Sequence, residues 1–184
     1  MMLNLIVGAF VWALGLCVGS FLNVVVYRLP RGLSVSKPRR SFCPHCRHEI
    51  AWYDNIPVLS WLLLRARCRG CHAPISPQYP IVEAITGLAF ILTYYLLFIG
   101  HARYGVTELK PGLDWLYLAA WLTLVAGLIA CSAMDIASYM VDVRITLLVI
   151  GAGVVLHAFW PAPKHVHEPA STAFGAAAIA AFLL

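Results

Sequence analysis

Apolar residues fill four stretches of the chain, roughly 3–27, 80–99, 114–134 and 143–160, and a fifth run begins at 170 and continues to 184. Each of the first four approaches or exceeds the ~20 residues that carry a helix across the hydrocarbon core of a bilayer. The pattern predicts an all-α polytopic membrane protein with about four to five transmembrane helices. The fifth run is short of a span and has no polar flank, so the sequence reads as truncated inside a fifth helix. A short closing helix that leans on its neighbours is the alternative. The first run has no basic residue ahead of it and outlasts a secretory h-region, which argues for a membrane helix over a signal peptide. Gly8, Gly15 and Gly19 within it suggest close helix packing. A long polar stretch separates the first two runs. It divides the chain into a first transmembrane helix (1–27), a loop domain (28–79) and an incomplete membrane core (80–184).

Composition agrees with this pattern. Hydrophobic residues make up 61% of the chain and charged residues 11%, where a soluble domain carries about 25% charged. Nine of the thirteen Lys and Arg residues lie between Arg28 and Arg69. By the positive-inside rule that loop is cytoplasmic and the N-terminus periplasmic, with 100–113 outside, 135–142 inside and 161–169 outside. The net charge of +5 arises from the same loop. Topology and contact with anionic lipid account for it. No recognition motif accompanies the charge, so a nucleic-acid partner is not expected.

The loop carries Cys43-Pro-His-Cys46 and Cys68-Arg-Gly-Cys71, with 21 residues between the pairs. Each two-residue gap lets both sulfurs of a pair face one metal, and four thiolates close a tetrahedron around a structural zinc. A pair of disulfides competes with this reading, but a cytoplasmic loop is a reducing environment. His45, His48 and His72 are possible substitute ligands, and outer or solvent-facing roles suit them better. Between the pairs, Ile56 to Leu64 is apolar but too short to span, which suits an interfacial element with Trp52, Tyr53 and Trp61 at the bilayer boundary. Asp54 reads as a turn or cap residue. Asn23 is polar at the end of the first run, where it can bond between helices or belong to a site. Arg28 can snorkel to head groups, and Pro30 ends the helix. Glu83 is expected in the first turn of the second span, where it either complements the helix N-terminus or serves a function. His165, His167 and Glu168 form a weak metal pattern in an outer loop.

Asp135 follows about twenty almost uncharged residues at the cytoplasmic mouth of the third span. Carboxylates at the edge of hydrocarbon are costly and mark functional positions. Asp142 lies seven residues on. Two helical positions at that spacing share a face but sit about 10 Å apart along the axis, too far to share one water unless 136–141 forms a tight turn.

Several of these segments resemble prepilin peptidases, the type IV leader peptidase family of integral-membrane aspartyl proteases. Gly19-Ser-Phe-Leu-Asn-Val-Val-Val-Tyr-Arg-Leu-Pro30 resembles the family's opening signature. Cys43-Pro-His-Cys46, Trp52-Tyr-Asp-Asn-Ile-Pro-Val-Leu-Ser-Trp61, Cys68-Arg-Gly-Cys71 and Pro74-Ile-Ser-Pro-Gln-Tyr-Pro-Ile-Val-Glu83 resemble its cytoplasmic cysteine domain. The likeness is dense over about 8–100 and looser over 125–150. Asp135-Ile-Ala-Ser-Tyr-Met-Val-Asp-Val143 resembles the motif that opens on the first catalytic aspartate, departing where Asp142 and Val143 stand for Pro and Asp. The second catalytic aspartate of the family lies in a Gly-x-Gly-Asp motif, which is expected beyond Leu184.

The resemblance implies an enzyme of the bacterial inner membrane that removes the leader from type IV prepilins and type II secretion pseudopilins. It also implies methylation of the new N-terminus with S-adenosylmethionine in members that carry the cysteine domain. Two aspartates would share a water, one ionised and one protonated. With Asp135 alone, this polypeptide is not expected to process prepilin by itself. A catalytically inactive membrane module that uses its zinc loop to bind secretion partners is the alternative. A small transporter or channel fits less well, because the spans carry no charged path.

Overall fold

The computed structural model describes residues 2–37, 40–100, 114–139 and 141–159. Among the described residues there are helices and no named β-strand. Three helices are long and apolar enough to cross a membrane: α1 (Met2–Arg28), α3 (Gln78–Phe98) and α4 (Trp115–Ser138). The chain is a helical membrane protein. The short α2 (Leu59–Leu63) lies in the loop between α1 and α3. The fourth expected span is α5 (Val143–Phe159), at 17 residues the lower limit of the ~17–25 that cross a bilayer. The expected fifth run, 170–184, lies outside the described residues, as do 101–113 and His165, His167 and Glu168.

α1 and α3 run antiparallel in an unbroken register. Gly8 faces Tyr94, Gly15 faces Gly87, Gly19 faces Glu83, and Asn23 Nδ2 donates to the Tyr79 carbonyl at 3.0 Å. A Cβ on Gly15 would lie 2.8 Å from the Cα of Gly87, and one on Gly19 would lie 2.7 Å from the Cα of Glu83. Lipid tails are as apolar as leucine, so this close backbone approach, and not hydrophobic burial, holds the pair together. The glycine spacing in α1 indicated such packing, and the structure supplies its partner.

Two buried clusters fix the levels of the helices. At one end Leu22, Val25 and Val26 of α1 meet Val82 of α3, Ala130 and Met134 of α4, and Ile145 of α5. Toward the other end Val11, Phe90, Tyr94 and Leu122 pack together. The C-terminus of α1, the N-terminus of α3 and the C-terminus of α4 therefore share one end, and the cysteine loop leaves the bundle there.

Three local expectations change. Arg28 does not snorkel outward. It is 5% exposed, and its guanidinium donates to the carbonyls of Ser34 and Val35 at 3.2 and 3.0 Å and lies over the Phe42 ring. The chain turns back over Arg28 through a 3₁₀ turn at Leu29–Arg31, closed by Gly32 at φ 66°. Only a residue without a Cβ takes that left-handed conformation freely. Pro30 stands in this turn, so the α-helix does end ahead of it. Glu83 is not in the first turn of the second span, because α3 begins at Gln78. Trp61 is not at the surface of the loop: it is half-buried, and its Nε1 donates to the Ile75 carbonyl at 3.1 Å.

Candidate metal centre and the clamp beneath it

Each cysteine pair sits in a tight knuckle. Cys43 N donates to the His48 carbonyl at 2.9 Å, and Arg47 N donates to the Cys43 carbonyl at 2.8 Å. The second knuckle repeats both bonds: Cys68 N to the Ala73 carbonyl at 2.9 Å, and His72 N to the Cys68 carbonyl at 3.0 Å. Arg47 and His72, each just after the second cysteine of its pair, share a positive φ of 59° and 56°. Isolated bridges, Phe42 with Glu49 and Arg67 with Pro74, close the two knuckles in the same way. The signal was present in the sequence, where Cys43-Pro-His-Cys-Arg-His-Glu-Ile50 aligns with Cys68-Arg-Gly-Cys-His-Ala-Pro-Ile75. The loop is thus an internal repeat folded face to face.

The repeat brings all four thiols together. Their Sγ atoms lie within 4.8 Å of one another, with Cys43 to Cys71 at 3.8 Å and Cys46 to Cys68 at 4.0 Å. A tetrahedral zinc with Zn–S of about 2.3 Å separates its sulfurs by about 3.8 Å. The donor set therefore fits such a metal without rearrangement, and none of the four cysteines is in a disulfide. No histidine among the described residues joins the cluster; His48 instead packs beside Gly70 of the opposite knuckle. The thiols are electrostatically unequal. Amide donors from Cys71 and Gly70 pull Cys68 down to about 6. Cys71 rises to about 11: the Ala73 amide lowers it, but desolvation and hydrogen bonds with Cys46, Cys68 and Cys43 together outweigh that donor. A metal bound by the four sulfurs would hold all of them as thiolates.

The segment between the knuckles is locked to the second knuckle and to α3. Asp54, read as a turn residue, lies in a 3₁₀ turn (Trp52–Asn55) and also takes a bidentate pair from Arg69 at 2.7 and 2.6 Å. The Arg69 guanidinium holds the Asp54 carboxyl below its ordinary range. Buried Ser60 accepts from Ile56 N at 2.8 Å and donates to the Tyr53 carbonyl at 3.1 Å. Val58 between them adopts φ 62°, ψ −48°, a rare conformation for a β-branched residue. What fixes it is Glu83, whose Oε2 accepts the Val58 N–H at 2.7 Å. Glu83 is 8% exposed, so this carboxylate ties the loop to the wall of α3. The sequence left the role of Glu83 open and gave no partner for it. Beneath the loop is a cavity of about 370 Å³, lined by Asn23, Tyr27, Tyr79 and Glu83 from the helices and by Phe42 and Trp61 from the loop.

Asp135 occupies the last turn of α4 and is exposed. Its neighbour Met134 is in the buried cluster at the loop's end of the bundle, so Asp135 and the cysteine loop share that end. Asp142 is engaged elsewhere. Its Oδ1 accepts the Arg144 N–H at 2.8 Å, and it pairs with the Arg144 side chain at 3.8 Å, capping α5.

Such a molecule is a helical membrane protein with a four-thiol knuckle domain clamped to the ends of its first two spans. Residues 13–97 match the family described as the bacterial peptidase A24 N-terminal domain. The chain is 46% identical over 148 residues to a prepilin leader peptidase/N-methyltransferase of Myxococcus xanthus, covering 80% of this chain and 39% of that protein. It is 38% identical over 156 residues to the protein of the same name from Klebsiella pneumoniae, covering 82% and 61%. A type 4 prepilin-like proteins leader peptide-processing enzyme of Escherichia coli is 47% identical over 96 residues, covering 42% and 35%. No solved structure matches. The chain carries the bacterial peptidase A24 N-terminal domain over residues 13–97 and is similar to these prepilin leader peptidases, of whose length it spans less than two thirds.

Proposed function

We propose that the chain forms part of a prepilin leader peptidase of the bacterial inner membrane, an aspartyl endopeptidase with Asp135 as one of its two catalytic carboxylates. The observation that supports it most is the shared end: Asp135 emerges from the same core layer that anchors the cysteine loop. The basic loop then faces the cytoplasm and the N-terminus the periplasm. Prepilins, and by extension pseudopilins, are the substrates. The named activities of the relatives favour an enzyme over an inactive docking module.

In this reading the division into a first helix (1–27), a loop domain (28–79) and a membrane core (80–184) separates support from chemistry. Cys43, Cys46, Cys68 and Cys71 hold one structural zinc, which supplies a closed tetrahedral cross-link and no open coordination position. Asp135 takes its place in a carboxylate pair, one ionised to orient and deprotonate water, the other protonated to support the scissile carbonyl. Asp142 is committed to the α5 cap and does not serve as the partner. The second activity named in the relatives, N-methylation, calls for a donor such as S-adenosylmethionine. The aromatic-lined cavity under the loop is a site of suitable size for one.

The test is cleavage of a prepilin by the membrane-embedded whole protein. Asp135→Asn is expected to lower the rate by at least about 10²-fold, the scale of a lost acid–base group. Asp142→Asn is expected to retain cleavage and to leave the α5 cap in place, because the Asn amide oxygen can accept the Arg144 N–H as the carboxylate does. Equal loss in both variants, or none in Asp135→Asn, refutes the assignment.

A further inference from the structure

The cysteine loop reaches below the ends of the helices it joins. Val58 bonds to Glu83, which lies five residues inside α3, about 7.5 Å along its axis from Gln78. Glu83 packs against Gly19 of α1, nine residues from Arg28 and therefore about 13 Å below that end. The cavity closed by the loop is walled by Ser20, Asn23 and Val24 of α1, more than a turn inside the apolar helix. Residues 56–63 thus descend alongside the spans and do not lie across their tops.

Their inner side is occupied by the Ser60 bonds and the Glu83 tether. Their outer side is apolar: Leu59, Leu62 and Leu63 are 55%, 60% and 73% exposed, and Ile56 is 42% exposed. At similar depth, Phe21 of α1 and Ile81 and Ile85 of α3 are also more than half exposed. Directly after this apolar turn come Arg65 and Arg67, both exposed. An apolar face continuous in level with lipid-facing helix surfaces, followed at once by cations, matches the layering of acyl chains and anionic head groups.

We propose that residues 56–63 form a re-entrant element inserted into the bilayer, with Leu59, Leu62 and Leu63 among the acyl chains and Arg65 and Arg67 at the phosphates. The inference is independent of the peptidase reading. It also gives a role to the unusual backbone at Val58, which stands just ahead of the inserted turn. The Val58 and Ile56 N–H groups are satisfied by Glu83 and Ser60 and not by lipid, as a membrane requires.

The test uses the full chain in nanodiscs of phosphatidylethanolamine and phosphatidylglycerol, with p-benzoylphenylalanine placed singly at three positions. Leu88, 62% exposed in the middle of α3, reports lipid. Glu49, exposed on the first knuckle, reports water. Photolysis at Leu62 is expected to give a phospholipid adduct by mass spectrometry, as at Leu88, with none at Glu49. A cross-link from Leu62 to another polypeptide, or no adduct at Leu62 while Leu88 gives one, overturns the proposal.

Discussion

Replacing Glu83 by alanine removes the tether that holds the loop against α3, and the structure gives the scale of its effect. The Val58 N–H to Glu83 Oε2 bond is 2.7 Å long, at the short end for this donor, and its acceptor is 8% exposed. A hydrogen bond to a charged group contributes about 1.5–3 kcal/mol, and a buried donor left without a partner costs about as much. Solvent replaces only part of this bond, because its acceptor is buried and its donor half-buried. Val58 adds a second contribution. Its φ of 62° is a conformation the residue leaves once released. Local opening around residues 56–60 should therefore become easier by at least the bond itself. At about 1.4 kcal/mol per decade that is roughly ten- to hundredfold faster amide exchange. Hydrogen–deuterium exchange of the protein in nanodiscs measures it on the peptide containing Val58. Glu83→Gln keeps an acceptor oxygen and should recover most of the protection. Unchanged exchange at Val58 in Glu83→Ala refutes the tether. A uniform rise throughout α3 would show that the carboxylate supports the helix and not the loop.

Two other outcomes follow from the geometry. In protein stripped of metal, Cys68, held near 6, should be alkylated well ahead of Cys71, held near 11. Its depressed value stabilises the metal-free loop above the thiol's unfolded value of about 8.5, and that contribution is lost as pH falls through 6. The raised value of Cys71 does the reverse, contributing below about 8.5 and failing as pH rises through 11. Mass-resolved labelling at neutral pH reads this order, and equal rates at the two cysteines would contradict it. Separately, Gly15→Val drives a branched side chain into the Gly87 backbone, where even a Cβ would stand at 2.8 Å. Overpacking of this kind costs about 1–3 kcal/mol or more, so the melting temperature in detergent should fall by several degrees. Wild-type stability in that variant would mean that α1 and α3 do not approach as closely as the structure shows.

The parts legible in the sequence were those set by local chemistry. Apolar runs long enough to span located α1, α3 and α4, and the paired Cys-x-x-Cys spacing located the thiol cluster. Glycine spacing in α1 announced a close helix contact. What stayed hidden depends on which distant groups meet. Nothing local to Glu83 names Val58 as its partner, and the start of α3 at Gln78, two residues ahead of the expected 80, takes Glu83 out of the first turn. Arg28 sits beside a span and carries a charge, the pattern of a snorkelling residue. Only the left-handed turn at Gly32 returns the carbonyls of Ser34 and Val35 to it. Asp54 lies between the knuckles and Arg69 in the second of them, and the pair joins only because the segment folds back on that knuckle.

These long-range contacts share a direction. Arg28, Ser60, Trp61 and Glu83 all engage polar groups on the inner side of the cysteine loop. The outer side of residues 56–67 is left with leucines and arginines. A free-standing zinc knuckle domain would distribute its polar groups toward water, because exposed leucines there gain nothing and invite association. This arrangement is the one that the proposed insertion into lipid requires. The thiol cluster then has a mechanical role. It holds together a loop whose inner polar bonds are its connection to the helices, at the end of the bundle from which Asp135 emerges. If the four thiols hold a metal as proposed, its loss should be felt first at the Val58–Glu83 tether, since that bond depends on a backbone shape that the knuckles on either side maintain.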